Sequence, residues 1–157
     1  MAIYVKFGSI NGDATHDTHK KWVDVLSIQW GVGRSVGGTV VGSTKNREAS
    51  HPSVSEMTFH KPMDGSSYKW FEESVVGKAG NKCEIDLVSN DNEIYARYVL
   101  ENAMVSGYSV SSSGDRPTET ISLNFTKIEF KYTPFDKDHK AGSPVTAGYD
   151  LSTAKKV

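Results

Sequence analysis

The sequence predicts a mainly β domain, an antiparallel barrel or sandwich with one helix, and three observations carry that expectation. Apolar residues alternate with polar ones in short runs along most of the chain, which is the two-residue period of a strand. Gly, Asn, Asp and Ser separate the runs at turn positions. Only one stretch, over 66–77, has apolar residues at helical spacing.

In order along the chain, Ile3, Val5 and Phe7 alternate with Tyr4 and Lys6 in a first strand that stops at Gly8 and the polar Asn11-Gly12-Asp13. Trp22 to Trp30 reads as a second, with Trp22, Leu26, Ile28 and Trp30 on one parity and Val23 and Val25 on the other. Two apolar faces place such a strand centrally or at an interface. The segment 31–52 has no periodic apolar face, so its backbone is expected to form no ladder of its own; loops of this length are functional or disordered. Ser53 to Lys61 forms a third strand with Met57 and Phe59 inward.

After Pro62, Asp64, Ser66 and Ser67 offer acceptors for the first turn of a helix, and Gly77 or Gly80 ends it. Tyr68, Phe71, Val75 and Val76 form the face expected to pack on the body, with Glu72 and Glu73 in water. Ile85 and Leu87 mark a fourth strand, Asn90-Asp91-Asn92 a turn, and Ile94 to Val110 a long strand bent near Asn102 and Ala103. The Ser/Gly run over 106–114 leads into 119–132, where the alternation changes parity. Ile121, Leu123 and Phe125 point one way, and Ile128, Phe130 and Tyr132 the other. Either a bulge near Thr126 and Lys127 re-aims one strand, or the two halves bury different faces against different partners. Gly148 to Leu151 adds a short terminal strand.

A length of 157 residues fits one domain, 1–157, with a core that needs no disulfide support. A formal net charge of −1 supplies no basic field for nucleic acid or an anionic membrane. Cys83 is the single cysteine, which excludes an intramolecular disulfide and reads as a small, partly buried side chain. The start of the chain lacks a basic segment followed by an apolar run, so the protein is expected to be made in the cytoplasm and to leave, if it leaves, in folded form. No apolar stretch approaches the roughly 20 residues of a membrane span.

His16 and His19 stand three apart, but in a polar loop without a third ligand, where a solvated or loop-tethering role fits better than a metal; His51, His60 and His139 lie in separate segments. Asp136 to Gly142 has Lys140 where a calcium loop needs an oxygen donor, so turn chemistry explains it. Gly31-Val-Gly33-Arg-Ser-Val-Gly37 is one residue too long for a dinucleotide loop and no helical pattern follows. Asn124-Phe125-Thr126 matches a glycan acceptor only by accident, within a strand. The sequence offers no nucleophile elbow, no HExxH and no arguable carboxylate pair, hence no catalytic, cofactor or metal residue, and no enzyme is expected.

Several motifs in order carry a resemblance to a family. They are Ile10-Asn-Gly-Asp13 with His19, the strand closing on Trp30-Gly31, Phe59-His-Lys-Pro-Met-Asp-Gly-Ser-Ser67 before the lone helix, Glu119-Thr-Ile-Ser-Leu-Asn-Phe125 with Tyr132 and Pro134, and Gly148-Tyr149-Asp150. Together they resemble the haemolysin-coregulated protein (Hcp) family, the tube subunit of bacterial type VI secretion systems. The helix departs from the family in carrying Tyr68, Trp70 and Phe71 where smaller aliphatics are frequent.

The resemblance implies a two-sheet antiparallel β-barrel with one flanking helix, a homohexameric ring, and rings stacked into a hollow tube. That tube is expelled by a contractile sheath, with spike and effector proteins as partners, effectors in the lumen, and an extracellular destination reached without a signal peptide. It implies no catalysis, cofactor, nucleic acid or membrane insertion. Within this frame Arg34, Val40, Val41, Lys45, Arg47 and Glu48 of the long loop are candidates for ring stacking, and Ile128, Phe130 and Tyr132 for the contact within a ring. A monomeric β-barrel that binds a small molecule or carbohydrate through Trp22, Trp30 or Trp70 is the alternative.

Overall fold

The structure is a computed structural model in which residues 1–38, 41–42 and 47–157 are described. The chain runs through β1 (Ala2–Phe7), β2 (Val23–Val25), β3 (Ser27–Gln29), β4 (Val32–Gly33), β5 (Ser53–Val54) and β6 (Met57–Pro62) to α1 (Ser67–Val76). It continues through β7 (Asn81–Val88), β8 (Ile94–Ser111), β9 (Thr118–Asn124), β10 (Lys127–Tyr132), β11 (Val145–Asp150) and β12 (Lys155–Lys156). One antiparallel sheet has the order β12-β11-β10-β8-β7-β1-β2, and a second has β3-β6-β9-β8. The expected mainly β, two-sheet, one-helix architecture is therefore present; the sheets share β8 but do not close on themselves.

Three corners carry the chain between the sheets, and each accounts for a sequence pattern. Val23 and Val25 are buried under the first sheet, Leu26 is exposed at the turn with its N–H bonded to the His60 carbonyl (2.7 Å), and Ile28 then faces the second sheet's core. The expected single strand over Trp22 to Trp30 is thus two. The expected single strand over 119–132 is also two: β9 lies in the second sheet and β10 in the first, joined through buried Phe125. The parity change marks that crossing, and it corrects the expectation of different partners for the two halves, since Ile121, Leu123, Phe125 and Ile128 all face one core. β8 makes the third corner without breaking, at Asn102, whose φ of 52° lies in the left-handed region that Asn tolerates. Gly80 is required beside it, since a Cβ there would lie 1.8 Å from Asn102 Oδ1.

Between the sheets lie Val5, Phe7, Met57, Phe59, Ile85, Leu100, Ile121 and Leu123, and the open end of this core is plugged by Trp70. Trp70 is fully buried, its ring 5.2 Å from Phe7 and 5.3 Å from Phe59. The expected helix face is corrected by this arrangement: Tyr68, Phe71, Val75 and Val76 are all more than half exposed. The physical reason is a polar anchor that sets the helix's rotation. Lys61 Nζ, wholly buried, donates to Glu119 Oε2 (2.5 Å), Asp64 Oδ1 (3.0 Å) and Ser67 Oγ (3.4 Å), and Trp70 Nε1 donates to Ser66 Oγ (3.2 Å). A buried ammonium needs those partners, and satisfying them turns Ser67 and Trp70 inward.

Candidate assembly surfaces

The described residues of 31–55 form a self-paired arm rather than an unladdered loop. β4 and β5 pair at its base, Val36 bridges Ala49, and Gly37 N–H donates to the Glu48 carbonyl (2.9 Å). Ser50 N–H donates to the Ser35 carbonyl (2.8 Å), and Ser35 N–H to Ser50 Oγ (2.9 Å). These bonds satisfy part of the arm's described backbone within the arm itself. Arg34, Arg47 and Glu48 are exposed along it and Val41 is 99% exposed at its far end. Val40 and Lys45 lie outside the described residues.

Ile128, Phe130 and Tyr132 share the inward face of β10, with exposure rising along the strand. Ile128 is in the core, Phe130 is half-buried and stacked on Tyr98 (centroids 4.8 Å apart), and Tyr132 is 42% exposed. Beside them opens an apolar groove of about 260 Å³, lined by Trp30, Val32, Pro52 and Val54 at the arm's base and by Phe130 and Tyr149. The sequence did not single out this groove, because its walls come from segments about 100 residues apart.

The outward stripe of α1 is a third surface. Tyr68, Phe71 and Val75 recur at helical spacing with Val76 beside them, and Phe71 meets Tyr108 of β8 edge-on at 6.1 Å. A contiguous apolar stripe left in water is a candidate contact surface. A fourth surface is the outward face of the second sheet. Ser27, Gln29, Thr58, His60, Thr120 and Ser122 alternate there with the core residues and include no Asp, Glu, Lys or Arg.

His19 is not solvated. It is buried, its Nε2 lies 2.7 Å from Asp86 Oδ2, and its ring stacks on Tyr4 at 4.8 Å. Asp86 in turn accepts two bonds from Arg97, at 2.6 and 2.7 Å. This cluster ties the 8–22 segment to the first sheet, the loop-tethering role expected of it. No sequence signal marks it, since Asp86 is 67 positions away. Among the described residues, no three His, Cys, Asp or Glu side chains converge as metal ligands. Asp136 Oδ1 accepts from the N–H groups of Asp138 (2.8 Å) and Lys140 (2.9 Å), which is turn chemistry. Cys83 is fully buried, and burial, with Glu84 nearby, pushes its thiol pKa up.

The three tryptophans do not converge on a pocket: Trp70 is in the core, Trp22 packs edge-on against His19 (4.7 Å), and Trp30 lines the groove. A larger cleft of about 670 Å³ is lined by Met1, Ser89, Asn90, Asp91, Glu93, Tyr95, Tyr132, Phe135 and His139, with His139 Nδ1 3.3 Å from Asp91 Oδ2. No described helix is long and apolar enough to cross a membrane.

The family described as "Type VI secretion system effector, Hcp" matches residues 4–132. Protein hcp1 of Pseudomonas aeruginosa is 28% identical over 155 residues, which cover 95% of this chain and 94% of that one. A solved structure of a type six secretion system protein matches with a TM-score of 0.90 and 29% identity over 99% of both chains. Hcp1 from Salmonella typhimurium matches with a TM-score of 0.82 and 25% identity, over 99% of this chain and 98% of that one. With the family match spanning most of the chain, and with two sheets, one plugging helix and a projecting arm in place, this chain belongs to the Hcp family of type VI secretion system proteins.

Proposed function

We propose that the chain is a structural subunit of the type VI secretion tube: six copies close into a ring, rings stack into a hollow tube, and the tube is expelled from the cell carrying effectors in its lumen. The arm is the observation that carries this reading. Its described residues between Val36 and Ala49 are all exposed, and its backbone bonds are made within itself, so it spends a long stretch of sequence on reaching beyond its own body. Such an element fits contact with an adjacent ring, through Val41, Arg34, Arg47 and Glu48, and through Val40 and Lys45. The body offers apolar surfaces of different shape, as a ring built from one repeated heterologous contact needs. The uncharged outward face of the second sheet fits a lumen wall past which folded cargo moves without charge-specific adhesion. On this reading the protein acts by assembly and performs no catalysis. Its partners are its own copies, the sheath, the spike and effectors, with secretion through the apparatus after synthesis in the cytoplasm.

Light scattering of the purified full chain at micromolar concentration tests the ring, with a mass of six chains expected; a mass of one chain would sink the proposal. Replacing 36–46 by a short Gly/Ser linker tests the arm. Rings of unchanged mass that no longer grow into tubes are expected. Dissociation to monomers would place the arm in the contact within the ring, and undiminished tube growth would make it a bystander.

A further inference from the structure

The stripe on α1 and the groove beside β10 are a convex and a concave apolar surface on one chain. Tyr68, Phe71, Val75 and Val76 are 57–64% exposed, so the stripe stands in water over most of its length. The groove's lining is apolar and aromatic, and its volume of about 260 Å³ lies below the roughly 300–1,000 Å³ of small-molecule sites, a size that takes protruding side chains. Charge does not oppose the pairing. Lys69 and Glu72, which flank the stripe, pair with one another at 3.9 Å, and the groove is lined by no Asp, Glu, Lys or Arg.

The two surfaces lie at opposite edges of the second sheet. Trp30 of the groove follows β3 at one edge, and Phe71 of the stripe meets Tyr108 of β8 at the other. A patch at one edge of a sheet and its complement at the other make a head-to-tail contact, and repetition of one such contact builds a ring where its rotation closes. A stripe-to-stripe contact would stop at two copies and leave the groove open.

We propose that α1 of one copy seats Tyr68, Phe71 and Val75 in the groove of the next, a helix-in-groove contact, and that this is the contact within the ring. The proposal rests on the ring reading above and names its partner surface, a second copy of this chain. Ile128, from the core, and half-buried Phe130 then line the groove that receives the helix.

The test uses two full-length variants. Phe71→Asp spoils the stripe and keeps the groove; Val32→Asp spoils the groove and keeps the stripe. Both positions are more than half exposed, so native circular dichroism is expected of each. Should Phe71→Asp lose the native spectrum, Val75→Lys on the same stripe replaces it. By light scattering, the unmodified chain should run as six copies and each variant as one. An equimolar mixture should run as two, because one intact stripe meets one intact groove and no further pairing follows. A variant that keeps the ring mass, or a mixture that stays at one copy, overturns the contact. An unmodified chain that already runs as one copy brings down the ring reading first, and this contact with it.

Discussion

The indole of Trp70 meets the ring of Phe59 edge to face, with centroids 5.3 Å apart and planes at 74°. Both side chains are fully buried, one from the helix and one from the second sheet, so this pair fixes how deeply α1 sits between the layers. Edge-to-face pairs of this kind add to the burial energy of the rings themselves.

Trp70→Ala should therefore cost about 3–5 kcal/mol by opening a cavity at the end of the core. Phe71→Ala, one position on but facing water, should change the stability of the isolated chain by about 0.5 kcal/mol or less. Urea unfolding of the two variants at matched concentration checks both values. A larger loss from Phe71 than from Trp70 would mean that the helix faces the other way.

The pair Lys61 and Glu119 should behave asymmetrically. Lys61→Met leaves Glu119 buried without its cation and should cost about 3–5 kcal/mol, whereas replacing both with apolar residues of similar volume should recover most of that loss. A double-mutant cycle read by urea unfolding measures the difference. Equal losses from single and double variants would show that the ammonium's bonds to Asp64 and Ser67 carry the anchor instead.

Tyr108 donates its hydroxyl to Glu119 Oε1 at 2.6 Å. Burial first, then this bond and the charges of Glu119 and Asp64, push its pKa above the ordinary 10.0. A folded value above the unfolded one means that the contribution is fully present below about pH 10 and is lost as pH rises through the folded value. The urea midpoint of the unmodified chain should thus fall more steeply between about pH 9 and 11 than that of Tyr108→Phe. Parallel curves for the two proteins would contradict the assignment.

Strand alternation was legible wherever one side of a segment meets the core. Met57 and Phe59 were identified as an inward pair, and the parity change after Phe125 was visible as a change. Its cause was not, because a crossing between sheets and a bulge within one strand write the same alternation. The helix was found and its covered side misread: periodicity locates an apolar stripe but does not say whether protein or water lies against it. Trp70, the single apolar side chain of α1 on the inward side, carries no period, and its placement follows from Lys61 and Glu119, which lie 58 positions apart. For the same reason the sequence leaves His19 between a solvated and a tethering role, with no sign of Asp86. The arm's hairpin escaped notice because its pairing runs through backbone and serine hydroxyls rather than through apolar alternation.

β8 passes through the corner at Asn102 with its backbone unbroken, bonded to β7 and β10 on one side of the bend and to β9 on the other. Mechanically it is a strut shared by two plates. Force applied to either sheet reaches the other along covalent bonds at that corner, so the two plates part there only by breaking the chain itself or by giving up a whole ladder of hydrogen bonds.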